Sequence, residues 1–158
     1  MALDPTARES NFRDSIKKYF VDNLNTTEGI DLLFDTWLST PDIGISKSVT
    51  RWVTVNFEEI ERDTLSEARL TVIPSTRNDS EGFKLAQLTD TVMGYLSDEN
   101  STTGMRTIPF YRSRNIGAWT AIGGIVIIPP IHESAQLVSE DGTKYKMLSV
   151  RCKFASKV

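Results

Sequence analysis

Apolar residues recur at spacings of three and four near the start of the chain, a pattern typical of an amphipathic helix. The stripe they form consists of Phe12, Ile16, Tyr19, Phe20 and Leu24. Asp4-Pro5 offers a carboxylate for the N-cap and a proline for the first helical position, so we expect the helix to begin there. The polar residues 23–29 are expected to end it.

Strict alternation of apolar and polar residues predicts a β-hairpin after this helix. Residues 51–59 place Val53, Val55 and Phe57 on one face and Trp52, Thr54 and Asn56 on the other. Residues 66–74 continue with Ala68, Leu70 and Val72 on a common face, after a charged connection over residues 58–63. A short strand over residues 30–38 and a polar loop over residues 39–50, expected to be mobile, precede the hairpin.

A second helix is predicted over residues 81–96, capped by Asp79 or Ser80. Its apolar stripe consists of Leu85, Leu88, Val92, Tyr95 and Leu96. This helix therefore lies between the predicted hairpin and the last third of the chain.

The last third of the chain is predicted to be β-structure. Pro109 within residues 105–111 indicates an edge strand or a bulge. Residues 119–128 are apolar but contain Gly123-Gly124, where we expect a bulge, and Pro129-Pro130 should end their pairing. A turn over residues 139–142 leads into residues 144–154, where Leu148, Val150, Cys152 and Phe154 share one face.

This order of elements predicts the α+β class: a mostly antiparallel β-sheet with two amphipathic helices packed on it. The length of 158 residues fits a single domain over residues 1–158. The only cysteine excludes an internal disulfide, and the longest apolar run, residues 122–131, is too short to span a membrane. Without a recognisable signal peptide, we expect a soluble protein of the cytoplasm with no membrane partner.

Candidate catalytic groups are few. His132 is the only histidine and lies beside Pro129-Pro130 in a predicted loop. Cys152 alternates with apolar residues, which predicts a buried structural thiol. No Lys-Ser/Thr pair follows Gly123-Gly124, so this is not a phosphate-binding loop. We therefore expect no enzyme activity, no cofactor and no metal site.

Charge is distributed unevenly along the chain. Residues 1–100 contain 18 acidic and 10 basic side chains, whereas residues 101–158 contain 3 acidic and 8 basic ones. Such a molecule can dock head-to-tail on copies of itself. The acidic cluster of the hairpin is either a cation site or a charged hairpin tip, and the absence of calcium-loop spacing favours the tip. It consists of Glu58, Glu59, Glu61, Asp63 and Glu67.

Three arginines, Arg106, Arg112 and Arg114, lie close in sequence to three aromatic residues, Phe110, Tyr111 and Trp119. This composition is found in single-strand nucleic-acid binders and in protein–protein hot spots. The net charge of −3 argues against nucleic acid. We therefore hypothesise that these arginines contact acidic residues of an adjacent subunit or partner ring, with the hairpin carboxylates as one acceptor set.

The order of elements also carries a family resemblance. An amphipathic helix over residues 11–24 (NFRDSIKKYFVDNL) precedes a short strand, a loop and a long hairpin. A second helix over residues 81–96 (EGFKLAQLTDTVMGYL) precedes the last strands. This layout resembles the tail terminator proteins of long-tailed bacteriophages and the related neck and tail-completion proteins.

The resemblance implies a structural protein of the virion, assembled in the host cytoplasm. It implies a homo-oligomeric ring, with six as the preferred number, that caps the tail-tube protein and meets the head connector and neck proteins. A head-completion or connector-adaptor protein and a tail-tube subunit remain alternatives. A small ring-forming α+β ligand-binding domain or enzyme is the alternative outside phage, and a deep polar pocket with a perturbed carboxylate would mark it.

Overall fold

The computed structural model describes residues 6–35, 49–112 and 119–155, which form one mostly antiparallel, curled sheet with two α-helices. The α+β class predicted above is confirmed. The helices are α1 (Glu9–Phe20), continued by a π-helical segment (Val21–Thr27), and α2 (Phe83–Leu96). The strands are β1 (Asp31–Phe34), β2 (Arg51–Glu61), β3 (Leu65–Thr76), β4 (Arg106–Arg112), β5 (Thr120–Glu133), β6 (Leu137–Val138), β7 (Lys144–Tyr145) and β8 (Leu148–Ala155).

The strands follow the order β1-β2-β3-β8-β5-β4, and the short β7 extends the pairing from β3 to β6. Neighbouring strands are antiparallel except β1 and β2, which are parallel. Strand β1 covers residues 31–34 of the strand predicted over residues 30–38. Residues 36–38 lie outside the described part of the chain. The predicted edge strand is confirmed, since β4 ends the sheet and contains Pro109.

The core lies on the face of the sheet that both helices cover. Phe12 of α1 stacks on Phe154 of β8 with ring centroids 4.4 Å apart. Phe57 of β2 meets the ring of Phe12 edge-on, and Phe110 of β4 meets the ring of Phe154 edge-on. Phe12, Phe110 and Phe154 are at most 2% exposed, so aromatic packing fixes α1 across the middle of the sheet.

The two sides of α1 face the two flanks of the sheet. On one side, Ser15 Oγ accepts a hydrogen bond of 2.8 Å from the backbone N–H of Tyr111 in β4. On the other side, Arg13 forms an ion pair with Asp35, and its guanidinium lies 4.4 Å from the ring centroid of Phe57. The Ser15 contact occupies a backbone group of the edge strand β4, and the Arg13 contacts cover surface on the opposite flank. Both reduce the sheet edge that is open to another strand.

Both helices begin later than predicted, and α2 ends at Leu96 as predicted. Helix α1 begins at Glu9 after Arg8, and Asp4-Pro5 lies outside the described residues. Residues 23–29 do not end the helical path at once, because the π-helical segment continues to Thr27. At α2 the N-cap position is Gly82 and not Asp79 or Ser80. Asp79 nevertheless accepts hydrogen bonds from the backbone N–H groups of Lys84 and Leu85 in the first turn.

A chain of tyrosines joins the helical segments. The hydroxyl of Tyr19 in α1 donates to the carbonyl oxygen of Tyr95 in α2 over 2.6 Å. The hydroxyl of Tyr95 donates to Glu28 Oε1 over 2.7 Å. Burial raises the pKa of Tyr19, and the hydrogen bond to Glu28 raises the pKa of Tyr95, so both hydroxyls remain donors at neutral pH.

Three predictions for the last third of the chain are wrong. Pro129-Pro130, joined by a cis peptide, does not end the pairing of β5, because the register shifts there and resumes at His132 opposite Ser149. His132 therefore lies on a strand and not in a loop. Residues 144–154 form two strands, since the chain leaves the sheet between β7 and β8. The predicted bulge near Gly123-Gly124 is present as a register shift beside Gly123.

The first half of β2 is buried on both faces. Val53 and Val55 face the helices, as predicted. Trp52 and Thr54 on the opposite face are also fully buried, and the Arg77 guanidinium lies 4.6 Å from the centroid of the Trp52 ring. Beyond this region β2 continues to Glu61, so the charged connection predicted over residues 58–63 is largely strand.

Candidate functional site

The only histidine of the sequence is exposed, and its only cysteine is buried. His132 is exposed on β5. Cys152 is fully buried on β8, and burial raises the pKa of its thiol to about 12, so it carries almost no thiolate at neutral pH. Within residues 6–35, 49–112 and 119–155, no group of three or more His, Cys, Asp or Glu side chains could hold a metal ion.

Arg106 is engaged at the C-terminal end of α2. Its Nη2 donates hydrogen bonds of 2.8 Å to the carbonyl oxygens of Gly94 and Ser97. These carbonyls belong to the last turn of the helix, where a cation is favoured by the helix dipole. The structure therefore gives Arg106 a helix-capping position within its own chain.

Of the other two predicted arginines, Arg112 is the last residue of β4. Arg112 Nε donates to Thr6 Oγ1 over 3.2 Å, which ties the start of the described chain to this flank. The sequence predicts a basic loop over residues 112–117, and of these only Arg112 lies in the described part of the chain, so Arg114 lies outside it. Arg112 is thus part of a flank surface, although one of its nitrogens already has a partner in the same chain.

The acidic cluster surrounds the β2–β3 hairpin, as predicted. Three of its carboxylates have partners in the same chain: Thr71 for Glu58, Arg69 for Glu59 and Arg151 for Glu67. The Glu59 pair is long at 3.9 Å, and the Glu59 side chain is 80% exposed. Glu61 and Asp63 are exposed as well. Because exposed ion pairs are weak, the carboxylates of Glu59 and Glu61 remain available to a partner.

A cation–aromatic cluster on the β4 flank was not predicted as a unit. Lys18 Nζ lies 5.7 Å from the ring centroid of Tyr111 and 5.4 Å from that of Trp119. The two rings meet edge-on at 5.9 Å. Trp119 remains 39% exposed, and Lys18 also pairs with Asp22 over 2.8 Å. We call Lys18, Tyr111 and Trp119 the aromatic flank cluster.

The aromatic flank cluster and the acidic hairpin lie at one end of the sheet but on opposite flanks. Strand register places Leu65 at the hairpin opposite Ala155, and the neighbouring Phe154 opposite Ile125. Ile125 pairs with Ile108, from which β4 runs on to Tyr111 in the direction of the hairpin end. Four inter-strand spacings separate β4 from β2, about 19 Å along the sheet.

Large apolar side chains are exposed at both ends of β3. Leu65 at the hairpin is 57% exposed. At the other end, Thr76 pairs with Lys144, and Lys144 pairs with Val138, which is 59% exposed. Phe83, at the start of α2, is 65% exposed. Exposed large apolar groups of this kind are frequent at protein–protein contacts.

Within the described ranges, neither α1 nor α2 combines the length and apolar character that crossing a bilayer requires.

Comparison with known proteins identifies the fold and nothing finer. No family model and no curated protein matches the chain. A solved structure with 9% identical residues matches with a TM-score of 0.60, covering 92% of this chain and 94% of that chain. The name of that protein states neither an activity nor a partner. At this identity the likeness shows a shared fold alone.

Proposed function

We propose that the protein is a non-catalytic structural protein of a bacteriophage virion. In this proposal it is a tail terminator whose subunits form a ring, six around, on the end of the tail tube, and that ring joins the tube to the head connector. The observation that carries the proposal is the placement of exposed apolar and aromatic side chains on several separate parts of the surface.

A terminator subunit needs four contacts: one with each neighbour in the ring, one with the tube and one with the connector. Leu65 and the pair Phe83 and Val138 are exposed at opposite ends of β3. Those ends are about 36 Å apart, from eleven residue steps of about 3.3 Å. Contacts at opposite ends suit a subunit that lies between two other rings, and contacts on the flanks suit neighbours in its own ring.

The location of the protein in the particle tests this proposal. Antibody-gold labelling of purified particles of the phage that encodes the chain should place it at the head-proximal end of the tail. Tails assembled without the protein should fail to join heads in vitro, and the added wild-type protein should restore joining.

Other labelling patterns would replace the proposal with a different one. Label along the whole tail would identify a tail-tube subunit. Label that stays with tail-less heads would identify a head-completion or connector-adaptor protein. Absence of the chain from purified particles would contradict every virion function and return attention to a ring-forming ligand-binding domain or enzyme.

A further inference from the structure

We infer that the aromatic flank cluster of one copy docks on the acidic outer edge of β2, carrying Glu59 and Glu61, of a second copy. The inference rests on the proposed function for self-association, and it names the surfaces that would form the contact. It differs from a contact between the arginines alone, because the contact is centred on Trp119.

The aromatic flank cluster has the composition of an interface hot spot. Trp and Tyr are enriched among the residues that dominate binding energies, because they bury a large area and lose little conformational freedom. Trp119 is held edge-on by Tyr111 and lies 5.4 Å from the Lys18 ammonium, yet 39% of it stays exposed. A partly exposed tryptophan that is held beside a cation can therefore contact a partner surface that is both flat and acidic.

The outer edge of β2 supplies such a partner. Strand β1 pairs with β2 only from Trp52 to Val55, so within the described residues no strand lies beside the second half of β2. The backbone N–H of Phe57 donates instead to Asp35. Glu59 and Glu61 follow on this edge, and both are exposed. Carboxylates there discourage pairing with an arbitrary strand but favour a cationic surface.

The positions of the two surfaces favour a second copy as the occupant. They lie on opposite flanks of one sheet and at the same end of it, so each copy presents one surface to each neighbour. A contact between unlike surfaces is heterologous, and its repetition closes a ring when the rotation per step divides a full turn. Lys18 and Arg112 on one flank complement Glu59 and Glu61 on the other.

Two variants damage opposite sides of this contact. Trp119→Ala removes the aromatic anchor, and Glu59→Lys with Glu61→Lys reverses the acidic edge. Each should weaken self-association by at least about tenfold in sedimentation equilibrium, because central aromatic and charged contacts dominate such interfaces. Phe83→Ala is the aromatic control, and Glu99→Lys with Glu140→Lys is the charge-reversal control on other exposed carboxylates. Both controls should associate like the wild type.

Mixing the two damaged variants gives a sharper result. The Trp119→Ala chain keeps its acidic edge, and the Glu59→Lys/Glu61→Lys chain keeps its aromatic flank cluster. One productive contact can therefore form between them and no second one. With one chain isotope-labelled, native mass spectrometry should show a one-to-one heterodimer and no larger species.

Several outcomes would overturn the inference. If the wild type forms rings and the Trp119→Ala and Glu59→Lys/Glu61→Lys variants associate equally well, the ring stands but the contact lies elsewhere. Trp119-dependent binding of a single-stranded oligonucleotide, with self-association unaffected, would assign the cluster to nucleic acid. The inference and the ring would both be overturned if the wild-type chain is monomeric in solution and purified tails do not contain several copies of it. Circular dichroism of each folded variant separates these outcomes from misfolding.

Discussion

Aromatic side chains serve two different purposes on the two sides of α1. Beneath the helix, Phe12, Phe110 and Phe154 contact one another and are almost completely buried. On the β4 flank, Tyr111 and Trp119 contact a lysine, and the tryptophan keeps 39% of its surface in solvent. The aromatic rings beneath the helix are buried within the fold, whereas we propose that the exposed aromatic area on the flank serves association. Unfolding and association measurements should therefore separate the two regions.

The largest expected effect on the free energy of unfolding comes from the aromatic core beneath α1. Phe12→Ala removes a fully buried ring that stacks on Phe154 at 4.4 Å and should lower the free energy of unfolding by about 3–5 kcal/mol. Urea unfolding followed by tryptophan fluorescence measures the change. Trp119→Ala, followed by circular dichroism, should lower it by less than about 1 kcal/mol. Equal losses at the two positions would abolish the distinction between core and flank.

The N-terminal end of α2 comes next, with an effect that depends on pH. Burial alone would raise the pKa of Asp79, but hydrogen bonds from the Leu85 and Lys84 N–H groups and the Thr76 hydroxyl outweigh it and lower the pKa below its ordinary value. A lowered folded-state pKa gives stability that is present above the unfolded-state pKa, about 3.9, and is lost as the pH falls through the folded-state value.

Asp79→Asn removes the negative charge at the N-terminal end of α2 and should therefore reduce the free energy of unfolding at pH 7 by about 0.3–2 kcal/mol. The difference from the wild type should shrink as the pH falls from the unfolded-state pKa, about 3.9, through the lowered folded-state pKa. Denaturant unfolding at a series of pH values measures it. A difference that stays constant down to the lowest pH would show that the charge of Asp79 does not stabilise the helix.

The smallest expected effect has the opposite sign. Thr54 is fully buried on the second face of β2, and its hydroxyl has no hydrogen-bond partner among residues 6–35, 49–112 and 119–155. A buried hydroxyl without a partner costs free energy, and valine has nearly the same shape. Thr54→Val should raise the free energy of unfolding by up to about 1 kcal/mol. A loss of stability would indicate that the hydroxyl has a partner in solution.

Local patterns sufficed for most elements of the fold. The stripes of α1 and α2 and the alternating residues of β2, β3 and β8 gave the helices and the hairpin, because periodicity is a property of neighbouring residues. The parallel pairing of β1 and the passage of β5 through Pro129-Pro130 were missed, since both depend on strands that lie elsewhere in the sequence.

The candidate surface was harder to predict for the same reason. Tyr111 and Trp119 were noted beside the arginines, but Lys18 joins them only because α1 packs against β4. Likewise, nothing in the sequence around Arg106 indicates that its guanidinium contacts the last turn of α2. Tertiary packing, which sequence periodicity does not specify, decides whether a cation caps a helix or borders an interface.

The central claim, self-association through unlike surfaces into a closed ring, is tested most directly by native mass spectrometry of the wild-type protein across a concentration series. A closed ring predicts a single assembled species at six times the 17.7 kDa mass of the chain, in equilibrium with smaller ones and never exceeded. A monomer at every concentration, or a ladder of oligomers that lengthens with concentration and has no upper limit, would contradict it.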